Sequence, residues 1–453
     1  MAEFDFIVRG GIVVTAEGIR AADVGVKEGK IGAIGENLSG STEGEIDATG
    51  LQVLPGLIDA HVHFNEPGRT EWEGLATGSR ALAANGVTGF IDMPLNSTPP
   101  VVDGTTFEAK RACAERESVI DFGLCGGMIP GNAKGLVEQW QRGALAFKAF
   151  MCFSGIEDYP WCDDAALYEG MQVAADLGAI VDVHAENHDI VAALTARARA
   201  KGDHSAAAYE ASRPPITELE GIQRAVLLAS DRGAALHVLH VSSREGIAAL
   251  RAAKANGADV SAETCPHYLI FDLEDVDALG PVAKCAPPIR GGVHREALWA
   301  AVEDRTLDMI VSDHSPSPPE LKAGKKLLDA WGGIPGCQFG LPAMIEYGYH
   351  RRGVPLQRIV ELYATQPAKR FGLAPAKGAI AVGADADLAL VDLHKAITVR
   401  AEDILYRHKQ SPYAGRTLRG VVTRTILRGR TVFADGRIVE DGRRGRMMVR
   451  QRK

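Results

Sequence analysis

Eight short apolar runs, separated mostly by helix-length stretches between about residues 55 and 375, constrain this chain more than any other feature. The runs are Leu57–His63, Val87–Asp92, Val119–Leu124 and Leu145–Phe150, then Ala179–His184, Ala235–His240, Asp259–Glu263 and Asp308–Asp313. The stretches between them are rich in Ala, Glu, Arg and Leu, which favour helices. Eight β/α units over this span fit a (β/α)8 barrel, which typically takes about 250 residues plus insertions. A doubly wound sheet would advertise a Gly-rich phosphate loop after its first strand, and no such loop follows here. The fold class is read as α/β, with a TIM-type barrel over 55–375.

The two ends of the chain resemble each other. Ile7–Val14, running to Glu17-Gly18, and Ile426–Phe433, running to Asp435-Gly436, each read as β-rich pairs around a glycine turn. Alternating runs follow at Asp23–Lys27, Lys30–Ile34 and Asp387–Asp392. Terminal strands must find partners, so residues 1–54 with 376–453 are expected to form one small β-sandwich domain.

Charge and composition exclude several classes. The formal charge of −8 leaves no basic face for nucleic acid, and the basic tail from Arg443 to Lys453 reads as a solvated end. No apolar run approaches the roughly 20 residues of a membrane helix. Glu3 and Asp5 stand where a signal peptide would be basic and then apolar. The seven cysteines are scattered without a Cys-x-x-Cys spacing, which suggests neither a disulfide framework nor a thiolate zinc site. A cytoplasmic protein is expected, with no nucleic-acid or membrane partner.

Chemistry concentrates at the C-terminal ends of the apolar runs, where barrel active sites lie. His61 and His63, two apart on a strand, face the same way and make half of a metal site. Runs five, six and eight end in His184, His240 and Asp313, a set suited to Zn2+ and its neighbours. His237, three residues before His240, is read as packing or support for the ligands. His188, His204, His267, His294, His314, His350, His394 and His408 are read as loop, surface or packing residues. Lys148 sits inside the apolar run Phe147–Met151, where a buried ammonium costs several kcal/mol unless paired or neutralised. Either it snorkels out or pairs with an aspartate, or it reacts as a neutral amine with CO2. The resulting carbamate has two oxygens able to bridge two cations.

In this order His61, His63, Lys148, His184, His240 and Asp313 resemble the binuclear centre of the cyclic amidohydrolases, within the amidohydrolase superfamily. The resemblance runs through the terminal β segments as well as the barrel. It implies two divalent cations, Zn2+ first with Co2+, Mn2+ or Fe2+ as alternatives, bridged by Lys148 as an N6-carboxylysine. It also implies that His61, His63 and Asp313 hold one ion and His184 and His240 the other. Asp313 would in addition be catalytic, passing a proton from the attacking water to the leaving ring nitrogen.

Within that family His61–Gly68, Asp92–Ser97, Cys285–Arg290, Ser312–Pro316 and Ala330–Ile334 are most similar to the allantoinase branch. The implied substrate is an uncharged cyclic ureide, allantoin, opened to allantoate in purine catabolism. A hydantoinase or dihydropyrimidinase activity is the alternative. Dihydroorotases present Arg, Asn and His where this chain has Asn65, Leu95 and Ser317, so three anion contacts are expected to be missing from the pocket. Ala286 replaces a serine found in some relatives. Asn96, Ser315 and Gly333 are the expected substrate contacts, and a homotetramer is what the resemblance implies. A catalytically silent scaffold would have lost ligands, and here all six positions are filled.

Overall fold

The computed structural model describes residues 3–439, 442 and 445–451. Eight parallel strands form the barrel. They are Leu57–Val62, Val87–Asp92, Asp121–Leu124 continued by Gly126–Gly127, Phe147–Phe150, Ile180–His184, Ala235–Val238, Val260–Thr264 and Met309–Ile310. The third strand switches partners at Cys125: Leu124 pairs with Asp92, whereas Gly126 pairs with Phe147. The ring closes through a parallel bridge between Val62 and His314. Strands one, two, five and seven are buried at every position, as a sheet covered on both faces must be. Apart from Gly126–Gly127, which lies beyond the expected run ending at Leu124, the strands lie inside the expected runs or within a residue of them, and most are shorter. The last keeps only Met309–Ile310 of Asp308–Asp313.

Helix starts follow local chemistry. Asn187 and Ser243 cap the helices His188–Lys201 and Arg244–Ala255, their side chains accepting from backbone N–H groups at 3.0 Å each. Each cap follows a key histidine by three residues, so strand, histidine and helix start form one rigid turn at His184 and at His240. No helix among the described residues is long and apolar enough to cross a membrane.

Both ends of the chain build the β domain. Its hydrogen bonds make one continuous nine-stranded sheet rather than two separate layers. The N-terminal and C-terminal halves join where Leu388–Thr398 pairs antiparallel with Gln52–Pro55. The sheet curls so that its turns meet: Gly429 donates to Ala386, and Ala386 donates to Gly29. Val8, Val24, Val26, Val53, Leu388, Leu390 and Ile426 form a core of their own.

Two expectations at the ends are corrected. The first glycine-centred segment is not a hairpin but a single strand, Phe6–Val14, with a bulge between Val8 and Gly11. Gly10 takes φ +65° there, and its N–H donates to Asp23 at 2.9 Å. The second is a true hairpin, Thr417–Leu427 with Arg430–Ala434, turning at Arg428-Gly429. The tail is also not simply a solvated end where described: Arg446, Val449 and Gln451 are exposed, but Gly445 and Met448 are buried against the barrel. Gly445 donates to Ser118, Met448 donates to Phe122, and the Arg450 guanidinium lies 3.2 Å from the Trp140 ring centroid. Arg443, Arg444 and Lys453 lie outside the described residues.

Candidate metal centre

The six singled-out side chains come together, all buried, on one cavity of about 620 Å3. His61 Nε2 and His63 Nε2 lie 3.3 and 3.4 Å from Asp313 Oδ1. His184 Nδ1 faces His240 Nε2 at 3.0 Å. Lys148 Nζ lies 3.4 Å from His61 Nε2, and the His61 and His240 rings are 5.5 Å apart. His240 and Asp313 stand past the last paired residues of their strands, at φ +36° and +43°. Such conformations cost energy and persist only where the surroundings enforce them; here they turn both side chains inward. His240 therefore lies outside the alternation of its strand, which ends at Val238.

Electrostatics suit the same reading. Burial pushes His61 and His240 well below the usual imidazole range and lowers His184, so their rings are neutral and carry lone pairs. Burial likewise lowers Lys148, opposed by Asp313 and Glu263, and this favours the neutral amine. Each histidine group is oriented by a buried carboxylate. His61 Nδ1 meets Glu263 Oε1 at 2.6 Å, and Glu263 Oε2 meets His237 Nε2 at 3.0 Å. His237 also meets Ser261 through Nδ1 at 2.7 Å, so it supports Glu263. His184 Nε2 lies 2.7 Å from Glu186 Oε2, which in turn accepts from Arg213 at 2.5 Å. Burial alone would raise Glu186; the Arg213 guanidinium and His184 outweigh it and hold the carboxyl well below its usual range. These contacts leave His61 Nε2 and His184 Nδ1 facing inward, the support that metal-ligating histidines ordinarily have. Two imidazole nitrogens face to face, two more around a carboxylate oxygen and an amine beside them form a donor set that fits divalent cations.

Sequence reading missed Glu263, Glu186 and Arg213. The first carried a signal, since it ends the apolar run Asp259–Glu263 and lies inside a buried strand just as Lys148 does. Glu186 carried less, standing two residues after His184, and Arg213 lies in a connection where no periodicity points to it.

Among the other singled-out residues, Leu95, Asn96, Ser315 and Ala286 line the cavity. Gly332 lines it rather than Gly333, which packs so closely that a Cβ there would lie 2.1 Å from the Ser315 carbonyl oxygen. Asn65 and Ser317 do not line it. Asn65 is fully buried, with neither side-chain atom hydrogen-bonded among the described residues. The cavity is not short of cations either, since Arg199, Arg213, Lys284 and Lys325 line it. The expected absence of anion contacts thus does not follow from the Asn65 and Ser317 positions. His314 is tied to Glu73 at 3.4 Å and to the Gly336 N–H at 3.1 Å, and does not line the cavity. His188 does line it, stacked 4.1 Å from Trp161.

A model of the amidohydrolase family matches residues 52–432. An allantoinase of Rubrobacter xylanophilus is 52% identical over all of this chain and 99% of its own length. An allantoinase of Solibacter usitatus is 51% identical, covering 94% of this chain and 93% of its own. Among solved structures, the L-hydantoinase (dihydropyrimidinase) of Arthrobacter aurescens superimposes with TM-score 0.94. It is 36% identical and covers 96% of this chain and 98% of its own.

Proposed function

The chain belongs to the amidohydrolase family, and from that premise we propose that it opens the hydantoin ring of allantoin by metal-dependent hydrolysis, giving allantoate. The observation that carries the reading is the convergence of His61, His63, Lys148, His184, His240 and Asp313 on one cavity, in a chain 52% identical to an allantoinase over its full length. His61, His63 and Asp313 would hold one divalent ion, and His184 with His240 would hold the other. Zn2+ is the first candidate for these nitrogen and oxygen donors. Bound cations supply Lewis acidity toward the ring carbonyl and a water of lowered pKa.

The remaining steps belong to the chain's own residues. In its neutral form the Lys148 amine would add to CO2, forming an N–C bond and releasing one proton to water, and the carbamate would offer two oxygen ligands to the metal site. Asp313 removes a proton from the attacking water and delivers it to the ring nitrogen as the C–N bond breaks, acting as base and then acid. Asn96, Ser315 and the backbone at Gly332 border the ring. The protein acts in the cytoplasm as a homotetramer, with residues 1–54 and 376–453 as its β domain and 55–375 as its catalytic barrel.

The test is ring opening of allantoin, hydantoin, dihydrouracil and dihydroorotate by one purified sample of known metal content. Allantoin is expected to have the highest kcat/KM. A preference for hydantoin or dihydrouracil would move the protein to the hydantoinase reading, and a preference for dihydroorotate would overturn both.

A further inference from the structure

We propose that Arg213 reads the substituent on the ring: its free guanidinium edge, with Lys284 and Tyr209, forms a compartment of the cavity that binds the carbonyl of a ureido group. This rests on the cyclic-ureide reading above.

Arg213 follows the short helix Ala206–Ser212 and lines the cavity together with Tyr209 and Lys284. Its Nε and Nη2 donate to Glu186 at 3.1 and 2.5 Å and Nη2 also donates to Cys152 Sγ at 3.6 Å, so on the far edge Nη1 alone makes no hydrogen bond among the described residues. A guanidinium presents its donors in a rigid fork, so committing one edge to Glu186 aims the other edge by geometry. The backbone holds it from behind, the Arg213 carbonyl accepting from Arg290 Nη1 at 2.8 Å. Because Glu186 also bonds His184, the free edge is kept in fixed register with the ring-opening site.

Lys284 is only 6% exposed and lies 4.9 Å from the Tyr209 ring centroid. Its ammonium donates to the Leu328 and Ala330 carbonyls at 3.1 and 2.6 Å, which leaves one of its three donors. Tyr209 donates its hydroxyl to the Cys285 carbonyl at 2.8 Å and is thereby fixed. Leu95, Phe150 and Phe153 supply apolar lining elsewhere in the cavity. An alkyl or aryl substituent gains nothing from the Arg213 edge. A ureido group offers it a carbonyl acceptor without the cost of stripping water from a full charge.

The experiment compares kcat and KM of wild type, Arg213→Lys and Lys284→Met on allantoin, unsubstituted hydantoin and hydantoin-5-acetic acid, with metal content measured on each sample. Lysine can pair with Glu186 as a point charge but has no fork. Arg213→Lys is therefore expected to keep its metal. It should lose about ten- to hundredfold in kcat/KM for allantoin relative to hydantoin, mostly through KM. Lys284→Met should move that ratio in the same direction, and it decides the matter alone if Arg213→Lys does not fold. A ratio unchanged within about twofold in the folded variants, with both substrates falling together, would overturn the proposal and leave Arg213 as support for Glu186. A wild type faster on hydantoin-5-acetic acid than on allantoin would overturn the ureido assignment in favour of an anion. A wild type inactive on allantoin would overturn the functional reading and this inference with it.

Discussion

Lys148 has one hydrogen-bond neighbour among the described residues, His61 Nε2, and lies 4.8 Å from the Phe150 ring centroid. No carboxylate among the described residues bonds its amine, and burial outweighs the more distant Asp313 and Glu263 and lowers its pKa, which favours the neutral form that reacts with CO2. Replacing Lys148 with Ala should strip most bound metal and activity, and short carboxylic acids with added metal should restore part of both. Near-normal metal content and turnover in the variant would rule out a bridging role. Asp313→Asn keeps the shape but not the basicity, and should cost at least about 10²-fold in kcat. Glu263 orients His61, so Glu263→Gln should weaken metal binding about 10- to 100-fold in a chelator competition. Unchanged affinity would make Glu263 a packing residue only.

Elements explain which parts of this were legible. The apolar runs located every barrel strand because a sheet covered on both faces needs continuous hydrophobic sequence. They overshot at the C-terminal ends, where the chain leaves the sheet to aim His240 and Asp313 inward. Which loop residues face the cavity was legible at Asn96 and Ser315 but not at Asn65 and Gly333, because neighbours distant in sequence set a loop's direction. The loop after Asp313 shows the same dependence. Lys322 donates to the Pro281 carbonyl at 2.7 Å while Lys284 donates across to Ala330, lacing the loop over the cavity. Burial pushes both lysines down to about 7. Between about pH 7 and the ordinary lysine value the unfolded chain binds more protons at these positions, so stability rises with pH across that window. Lys322→Met removes one such group. The wild type should therefore gain thermal stability over the variant on going from pH 7 to about 10; a constant difference in Tm would contradict the shift.

At the scale of the molecule, the first and last of the described strands share one sheet, and residues 445–451 then pack on the barrel. Met448 is buried at 5% exposure, and Gly445 lies where any Cβ would strike the Ile120 carbonyl. Deleting residues 445–453 should lower Tm by about 1.5–3 °C, since one fully buried large apolar side chain is worth about 1.5–3 kcal/mol and a chain of this length loses roughly 1 °C per kcal/mol. An unchanged Tm would show that the tail rests on the barrel without stabilising it. All of this scaffold serves one claim, that the convergent side chains form a two-ion centre for hydrolysing an uncharged ring. The most direct measurement is to strip the purified protein with a chelator and titrate Zn2+ back, following bound metal and allantoin hydrolysis together. The account predicts that activity is absent in the stripped protein and rises until about two ions are bound per chain. Full allantoin hydrolysis by metal-free protein would contradict it, as would saturation of activity and binding at a single ion.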